Sequence, residues 1–368
     1  MYFEINNDVL LDSLKVLNRV VPTRSTLPIL SSVLFSSDGE KLTLRASDLE
    51  VSLEASLPAK IKETFNIAVP ISKILNICSS LKNETLTFDI NNNKIQIKSD
   101  YGEYNIMGQS SEEFPETVFV NQNKSITFKS KELSNLIDYT IASVCTDELK
   151  PSLQGVLFDI NEAKTTLVST DGHRLSKIES DQNSGVSKKI IIPTKFLKIL
   201  QPFLLLEDSI EMLVGENHIQ VFFKRTKIAT RIINDTFPDY EKVIPKNNDK
   251  EIIIQTKTFI NSLKRISVFS NQKTKQATLT IKNNNINLCA EDAETAASAK
   301  EKIECVSTNI SEEISIAFNG DYLKEILEKT MSEETVLLIK DPLSAALIFP
   351  KEKTEKNEIS LLMPIRLQ

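Results

Sequence analysis

The sequence predicts an α+β fold of three repeated units, each with two helices on mostly antiparallel sheet. Three observations predict it. The chain has 368 residues, too many for one comfortable core. A set of short signals recurs at one offset, and each recurrence shows the same order of strand-like and helix-like periodicity.

The offset is 123 residues. "SSVLF" at 31–35 returns as "QGVLF" at 154–158, "ASDLE" on Asp48 as "STDGH" on Asp171, and "VPISKILNICSSL" from Val69 as "IPTKFLKILQPFL" from Ile192. Phe114-Pro115 returns as Phe237-Pro238. A fainter third copy has "AEDAE" on Asp292 and "FNGDYLKEILEKT" from Phe318. Solenoid repeats run about 20–45 residues, so these longer units are expected to fold as separate cores. The polar stretches "FVNQNK" and "PKNNDK" then divide the chain into domains 1–121, 122–247 and 248–368.

Each unit opens on an alternating strand, "YFEI", "SITFK" or "EIIIQ". An amphipathic helix follows, its leading apolar pair three residues apart: Leu11 and Leu14, Leu133 and Leu136, Ile260 and Leu263. Strands closed by polar turns such as "SSDGEK", "NEAKT" and "KNNN" come next, then a second helix and more strands. Such short connections suit hairpins and leave no room for crossover helices, which makes the sheet antiparallel. The last segment, "ISLLMPIRLQ", contains Pro364, which is awkward in a central strand. The tail is expected to leave at a sheet edge or surface, presenting Met363, Ile365 and Leu367.

Composition excludes several function classes. Lys and Arg total 44 against 50 Asp and Glu, a net charge of −6, so nucleic-acid contact must be confined to one face. None of the 8 glycines builds GxGxxG or GxxxxGK, which removes the phosphate-cradling loops of nucleotide enzymes. Cys78, Cys145, Cys289 and Cys305 form no CxxC pair, and His173 and His218 are far from them in sequence. No metal, cofactor or disulfide framework is expected. No apolar run approaches membrane-spanning length, and the opening segment carries acids where a secretory signal carries bases. A cytoplasmic protein without membrane contact is expected.

The segment "STDGHRLS" gathers Asp171, His173 and Arg174. A general acid–base site would need a pocket and an orienting partner. "DG" between alternating residues reads more simply as a turn. Asp48, Asp171 and Asp292 are likewise one turn built three times rather than a metal cluster. The helices carry cations: Lys15 and Arg19 with Arg24 beyond, Lys264 and Arg265, and the series Lys73, Lys195, Lys198 and Lys324. These are either solvated faces or one assembled positive surface.

Together "TLPILSSVLF", "SDLE", "TDGHRL", "FPDY" followed by "VIPKN", "FSNQK" and the terminal "MPIRL" resemble the bacterial DNA polymerase III β subunits, the sliding clamps, in order over essentially the whole chain. The resemblance implies three clamp-type domains per chain and a head-to-tail homodimer, with twelve helices lining a ring around duplex DNA. Twelve helices about 10 Å apart give a perimeter near ~120 Å and a width of roughly 38 Å. It further implies DNA contacts at Arg24 and Lys73. The loop "TDELKPS" departs from the family there, with Asp147, Pro151 and Ser152 in place of its usual contacts and Lys150 as a substitute.

The implied pocket for partner peptides comprises Leu153, Thr170, Gly172, His173, Arg174, Leu175, Pro238, Val243, Leu343, Ala345, Leu361, Met363, Pro364, Ile365 and Arg366. The implied ring contact sets Tyr104 and Ile106 of an edge strand against Val268 and Phe269. Implied partners are a second copy, duplex DNA without sequence preference, the polymerase III α subunit, the clamp-loader complex, and other polymerases and repair proteins carrying short linear motifs. The expected function is a non-enzymatic processivity factor. The competing readings are a hydrolase using Asp171 and His173, and a scaffold that binds only proteins.

Overall fold

The computed structural model describes residues 1–116, 125–181, 187–330, 332–352 and 357–367. The boundary expected at 121 lies outside them. The first repeat runs β1 (Tyr2–Asn6), α1 (Asn7–Leu17), β2 (Ser32–Ser37), β3 (Leu42–Ser47), β4 (Val51–Leu57), β5 (Lys60–Ile61), β6 (Phe65–Pro70), α2 (Ile71–Ser80), β7 (Thr85–Asn91), β8 (Lys94–Ser99) and β9 (Gly102–Met107). The second runs β10 (Ser125–Lys129), α3 (Ser130–Ile141), β11 (Gly155–Ile160), β12 (Thr165–Thr170), β13 (Arg174–Ser180), β14 (Lys188–Pro193), α4 (Thr194–Leu204), β15 (Ser209–Val214), β16 (His218–Phe223) and β17 (Thr226–Arg231). The third runs β18 (Lys250–Gln255), α5 (Thr256–Ser267), β19 (Gln276–Lys282), β20 (Asn285–Asp292), β21 (Ala297–Glu304), β22 (Ser307–Thr308), β23 (Ile314–Asn319), α6 (Gly320–Lys329), β24 (Glu334–Ile339), β25 (Ala346–Pro350) and β26 (Ile359–Leu362). The predicted order recurs three times, and among the described residues all sheet pairings are antiparallel.

Local chemistry fixes the helices. Asn6 caps α1, its side chain accepting from the Asp8 and Val9 amides at 3.0 and 3.2 Å, and Asn319 caps α6 in the same way. In α1 the buried stripe is Leu10, Leu14 and Leu17, and in α5 it is Phe259, Leu263 and Ile266. The expected pairs therefore shift: Leu11 and Ile260 are only partly buried, one position around from the stripe, while Leu133 and Leu136 are core. A three-residue step fits two adjacent helical faces, and the sheet underneath selects one. In the first repeat Phe3 stacks on Phe88 at 4.4 Å and on Phe65 at 5.3 Å, closing the core between two sheets.

The sheets do not stop at the repeats. Five strands form β5-β1-β7-β8-β9, eight form β10-β15-β16-β17-β4-β3-β2-β6, nine form β14-β11-β12-β13-β26-β25-β24-β18-β22, and four form β21-β20-β19-β23. The middle repeat thus shares one sheet with the first, through β17 and β4, and another with the third, through β13 and β26. Accordingly the chain packs as two compact units, Met1–Lys131 with Lys195–Ile232, and Glu132–Thr194 with Ile233–Gln368. Strand β26 is interior to its sheet and not at an edge as expected, because Pro364 comes only after pairing has ended.

Past β26 the tail does turn outward at Met363 and Leu367, but Ile365 bridges back to Ala317. That bridge is a repeat feature, matched by Ala68 with Gln109 and by Ile191 with Ile233. Nor is "PKNNDK" a free linker: the Asn248 side-chain amide donates to the Leu338 and Ala345 carbonyls, both at 2.9 Å. Among the described residues no helix is long and apolar enough to cross a membrane.

Candidate functional site

On one face of the nine-stranded sheet, Leu175, Leu361 and Leu347 stand side by side across β13, β26 and β25. They join Leu157, Val168 and Ile191 in one buried apolar cluster. Phe237, Tyr240 and Ile244, from the segment after β17, pack against it as partly buried walls. The rim is apolar and open: Met363 is 43% exposed, Leu343 65%, and Val243 and Pro238 are also exposed. The Met363 amide donates to the His173 carbonyl at 2.8 Å, tying the tail to the Thr170–Arg174 turn. Thr170 accepts the Gly172 amide on Oγ1, and Gly172 sits at φ +93°, where a side chain would be strained. An apolar floor with a few fixed polar groups at its edge is the form of a peptide groove.

The turn uses its acid structurally. Asp171 Oδ1 accepts the His173 and Arg174 amides at 2.8 and 2.9 Å. Asp48 does the same for Glu50 and Val51, and Asp292 accepts the Glu294 amide. The first two turns are copies of each other; the third keeps the acid but is two residues longer, Glu291 pairing with Ser298 where Ser47 pairs with Ser52, and Asp292 accepts the Thr295 hydroxyl as well as the Glu294 amide. Asp171 binds the backbone of His173 and not its ring, so it does not build the orienting contact a hydrolase needs.

Arg174 is placed differently from its neighbour Leu175. Strand alternation sends it to the face opposite Leu175, where it is 7% exposed, ion-paired to Asp171 (3.2 Å) and Glu325 (2.6 Å), and stacked 4.0 Å over the Tyr322 ring of α6. It braces the groove from behind. Leu153 is buried just before β11, and Ala345, Pro364 and Ile365 are partly buried, leaving Arg366 exposed.

Beside the groove, Glu179 accepts from Lys164 (2.7 Å) and Asn357 (3.0 Å) and pairs with Lys177 (3.2 Å). Burial pushes this carboxyl up, but those hydrogen bonds outweigh it and hold it at about 2. A depressed carboxylate contributes stability that is complete above its unfolded value, near ~4.3, and is lost as pH falls toward the folded one. Glu179→Gln is therefore expected to flatten the acid limb of thermal stability between those limits, measured by melting temperature against pH.

The chain's profile now decides the family. Residues 1–118, 127–239 and 241–366 match the N-terminal, central and C-terminal domains of the DNA polymerase III beta subunit. The chain belongs to the DNA polymerase III beta subunit family. It is 27% identical to the beta sliding clamp of Pseudomonas aeruginosa, all of both chains being covered, and 27% identical to that of Treponema pallidum over 98% of each. Its structure is similar to the crystal structure of the Pseudomonas aeruginosa beta subunit (TM-score 0.93, 26% identity) and to that of the Bartonella birtlesii sliding clamp bound to griselimycin (TM-score 0.93, 28% identity), with full coverage of both chains.

In this beta-subunit chain the cations sort themselves. Lys195 pairs with Asp48, Lys264 with Glu328, Arg265 with Glu301 and Lys324 with Asp321, so these do not build a free positive surface. Among the described residues Lys15, Arg19, Arg24, Lys73, Lys150 and Lys198 are exposed and form no ion pair. Helices α1 and α2, which carry Lys15 and Lys73, pack against each other.

Sequence reasoning missed the joints between repeats. At the first, β17 and β4 set Thr230 opposite Val51, Ala229 opposite Ser52, Ile228 opposite Leu53 and Lys227 opposite Glu54. At the second, β26 and β13 set Leu362 opposite Arg174, Leu361 opposite Leu175 and Ser360 opposite Ser176. Superposed by repeat, the two registers are the same. The remaining members of each series, β9 and β21, are both sheet edges. Within β9, Tyr104 is half-buried and the Ile106 side chain is 5% exposed, inside its own repeat's core; Val268 and Phe269 are exposed just past α5. Ile106 therefore offers a partner only its backbone, while Glu103, Asn105 and Met107 point outward.

Proposed function

We propose that this chain is a DNA sliding clamp, a head-to-tail homodimer whose domains, 1–121, 122–247 and 248–368, close with those of a second copy into a ring around duplex DNA. One observation carries the reading: the joint register occurs twice within the chain, and its two strands occur once more as open edges. Open edges are a liability that pairing removes. Applied to them, the register sets Glu103 opposite Lys300, Tyr104 opposite Ala299, Asn105 opposite Ser298 and Ile106 opposite Ala297.

Burial agrees with that register. Glu103, Asn105, Ser298 and Lys300 are exposed, and their neighbours turn inward. A slip of one residue would set outward side chains against inward ones. Glu103 facing Lys300 restates, with charges exchanged, the 3.0 Å pair of Lys227 with Glu54 at the first joint. Val268 and Phe269 supply the apolar part of the contact.

Arg24, Lys73 and Lys150, with Lys15, Arg19 and Lys198, face the duplex. Few phosphate contacts give sequence-independent, mobile binding, and enclosure rather than adhesion retains the DNA. The ring performs no catalysis and takes no cofactor or metal. The polymerase III α subunit, the clamp loader and other polymerases and repair proteins dock short linear motifs in the Leu175–Leu361–Leu347 groove. The ring works in the cytoplasm. Once loaded on a nicked circle the protein is expected to stay through gel filtration and to leave when the circle is cut. Equal retention on linear DNA would refute enclosure.

A further inference from the structure

The first joint holds a cavity of about 290 Å³, lined among others by Ser47, Leu49, Ser52, His218, Ala229 and Arg231. Repeat by repeat it occupies the place of the peptide groove at the second joint. The shared register puts Ser52 where the groove has Leu175, Ala229 for Leu361, Arg231 for Met363 and His218 for Ala345. The place in the register is the same and the chemistry is different. A floor with Ser52 and the small Ala229 in place of two leucines offers little buried apolar surface, so an apolar side chain has to be held elsewhere in the cavity.

Two features are unexplained by folding. His218 and Arg231 are directly opposite across β16 and β17, and among the described residues neither forms an ion pair. Like charges facing each other in a ladder destabilise it, so burial first, then Arg231, holds the imidazole below its ordinary value and keeps it uncharged near neutrality unless an acid comes between the two. The charged groups around it are Arg231, Glu50 and Glu116. The second feature is Leu49, half exposed at φ +79°, where its counterpart is Gly172. A leucine is strained in that backbone conformation, and being half exposed it gains little core packing in return. It does give the cavity an apolar lip, with Pro115 beside it.

We infer that this cavity is a second peptide site with its own selectivity: it takes one carboxylate side chain between Arg231 and His218, and the apolar residue next to that carboxylate against Leu49 and Pro115. Glu50 and Glu116, exposed residues of the same lining, leave Arg231 and His218 able to offset one acid and repel a second, so the ligand is a segment of the type acid–apolar and not a polyanion. This reading stands apart from the function proposed above.

The chain has two histidines, so His173→Gln leaves His218 as the only imidazole signal in a carbon–proton NMR spectrum. The probe is acetyl-Asp-Leu-amide, with acetyl-Asn-Leu-amide and sodium acetate as comparisons. The aspartyl probe is expected to shift the His218 signal saturably and to raise its titration midpoint, since a neighbouring carboxylate favours imidazolium. Arg231→Gln, a change at an exposed position checked for folding by its amide spectrum, should abolish saturation, and Leu49→Gly should weaken the probe at least threefold without altering acetate. No saturable shift, an equal shift from the asparaginyl probe, or unchanged binding in Arg231→Gln would overturn the site. Acetate matching the aspartyl probe would overturn its peptide selectivity.

Discussion

A Met363→Asp, Leu343→Asp double variant is expected to bind a peptide from the polymerase III α subunit at least a hundredfold more weakly. Both side chains are exposed at the rim, one residue and three residues from the paired Leu362 and Ala346. The fold therefore loses little when they change. A docked peptide would instead bury two carboxylates against Leu361 and Leu347 with no cation provided. Truncating one well-packed anchor costs about 2 kcal/mol or more, and burying an unpaired charge costs further, so a hundredfold loss, roughly 2.7 kcal/mol, is a conservative figure. Fluorescence anisotropy measures it, and an unchanged melting temperature shows that the loss is local. Retained affinity would move the peptide site elsewhere.

Lys300→Glu is expected to weaken the homodimer, Glu103→Lys to do the same, and the two together to restore it. Each single change sets like charges opposite each other across the strand pair. An opposed pair is worth about 0.2–1 kcal/mol, and like charges reverse its sign. Both joints of the ring are hit at once, so sedimentation equilibrium should record a weakening of roughly tenfold. Because Glu103 also pairs with Lys98 at 3.5 Å on an exposed edge, the effect should shrink in high salt. Additive loss in the double variant would rule out the contact.

Much of this architecture was legible because it repeats. Turns such as that of Asp171 are local, needing only the acid and the next two or three amides, and a recurrence at 123 residues exposes them. Which strand joins which sheet is not local. Nothing near Ile359–Leu362 indicates that it pairs with Arg174–Lys177 on one side and Ala346–Ile348 on the other, so the tail read as an edge.

The same nonlocality hid the fate of individual side chains. Arg174 sits in a motif read as pocket-forming, yet alternation turns it toward Tyr322 and Glu325, which lie some 150 residues away. Lys195 and Arg265 look like free cations until Asp48 and Glu301 fold against them. Ile106 was placed at an interface by its strand, but its side-chain parity belongs to the core. The joint register could have been found from sequence by aligning the three repeats and asking which strands lack a partner at either end.

Disulfide trapping tests closure of the ring most directly. Asn105 and Ser298 face each other in the proposed register, and opposed Cα atoms in an antiparallel pair are about 4.5–5.5 Å apart, within the span of a disulfide. With Cys289, the one native cysteine that is not buried, replaced by serine, the Asn105→Cys, Ser298→Cys protein should oxidise to a covalent dimer that holds circular DNA through denaturant. No covalent dimer, or faster trapping by an Asn105→Cys, Lys300→Cys protein, would contradict the closed ring in this register.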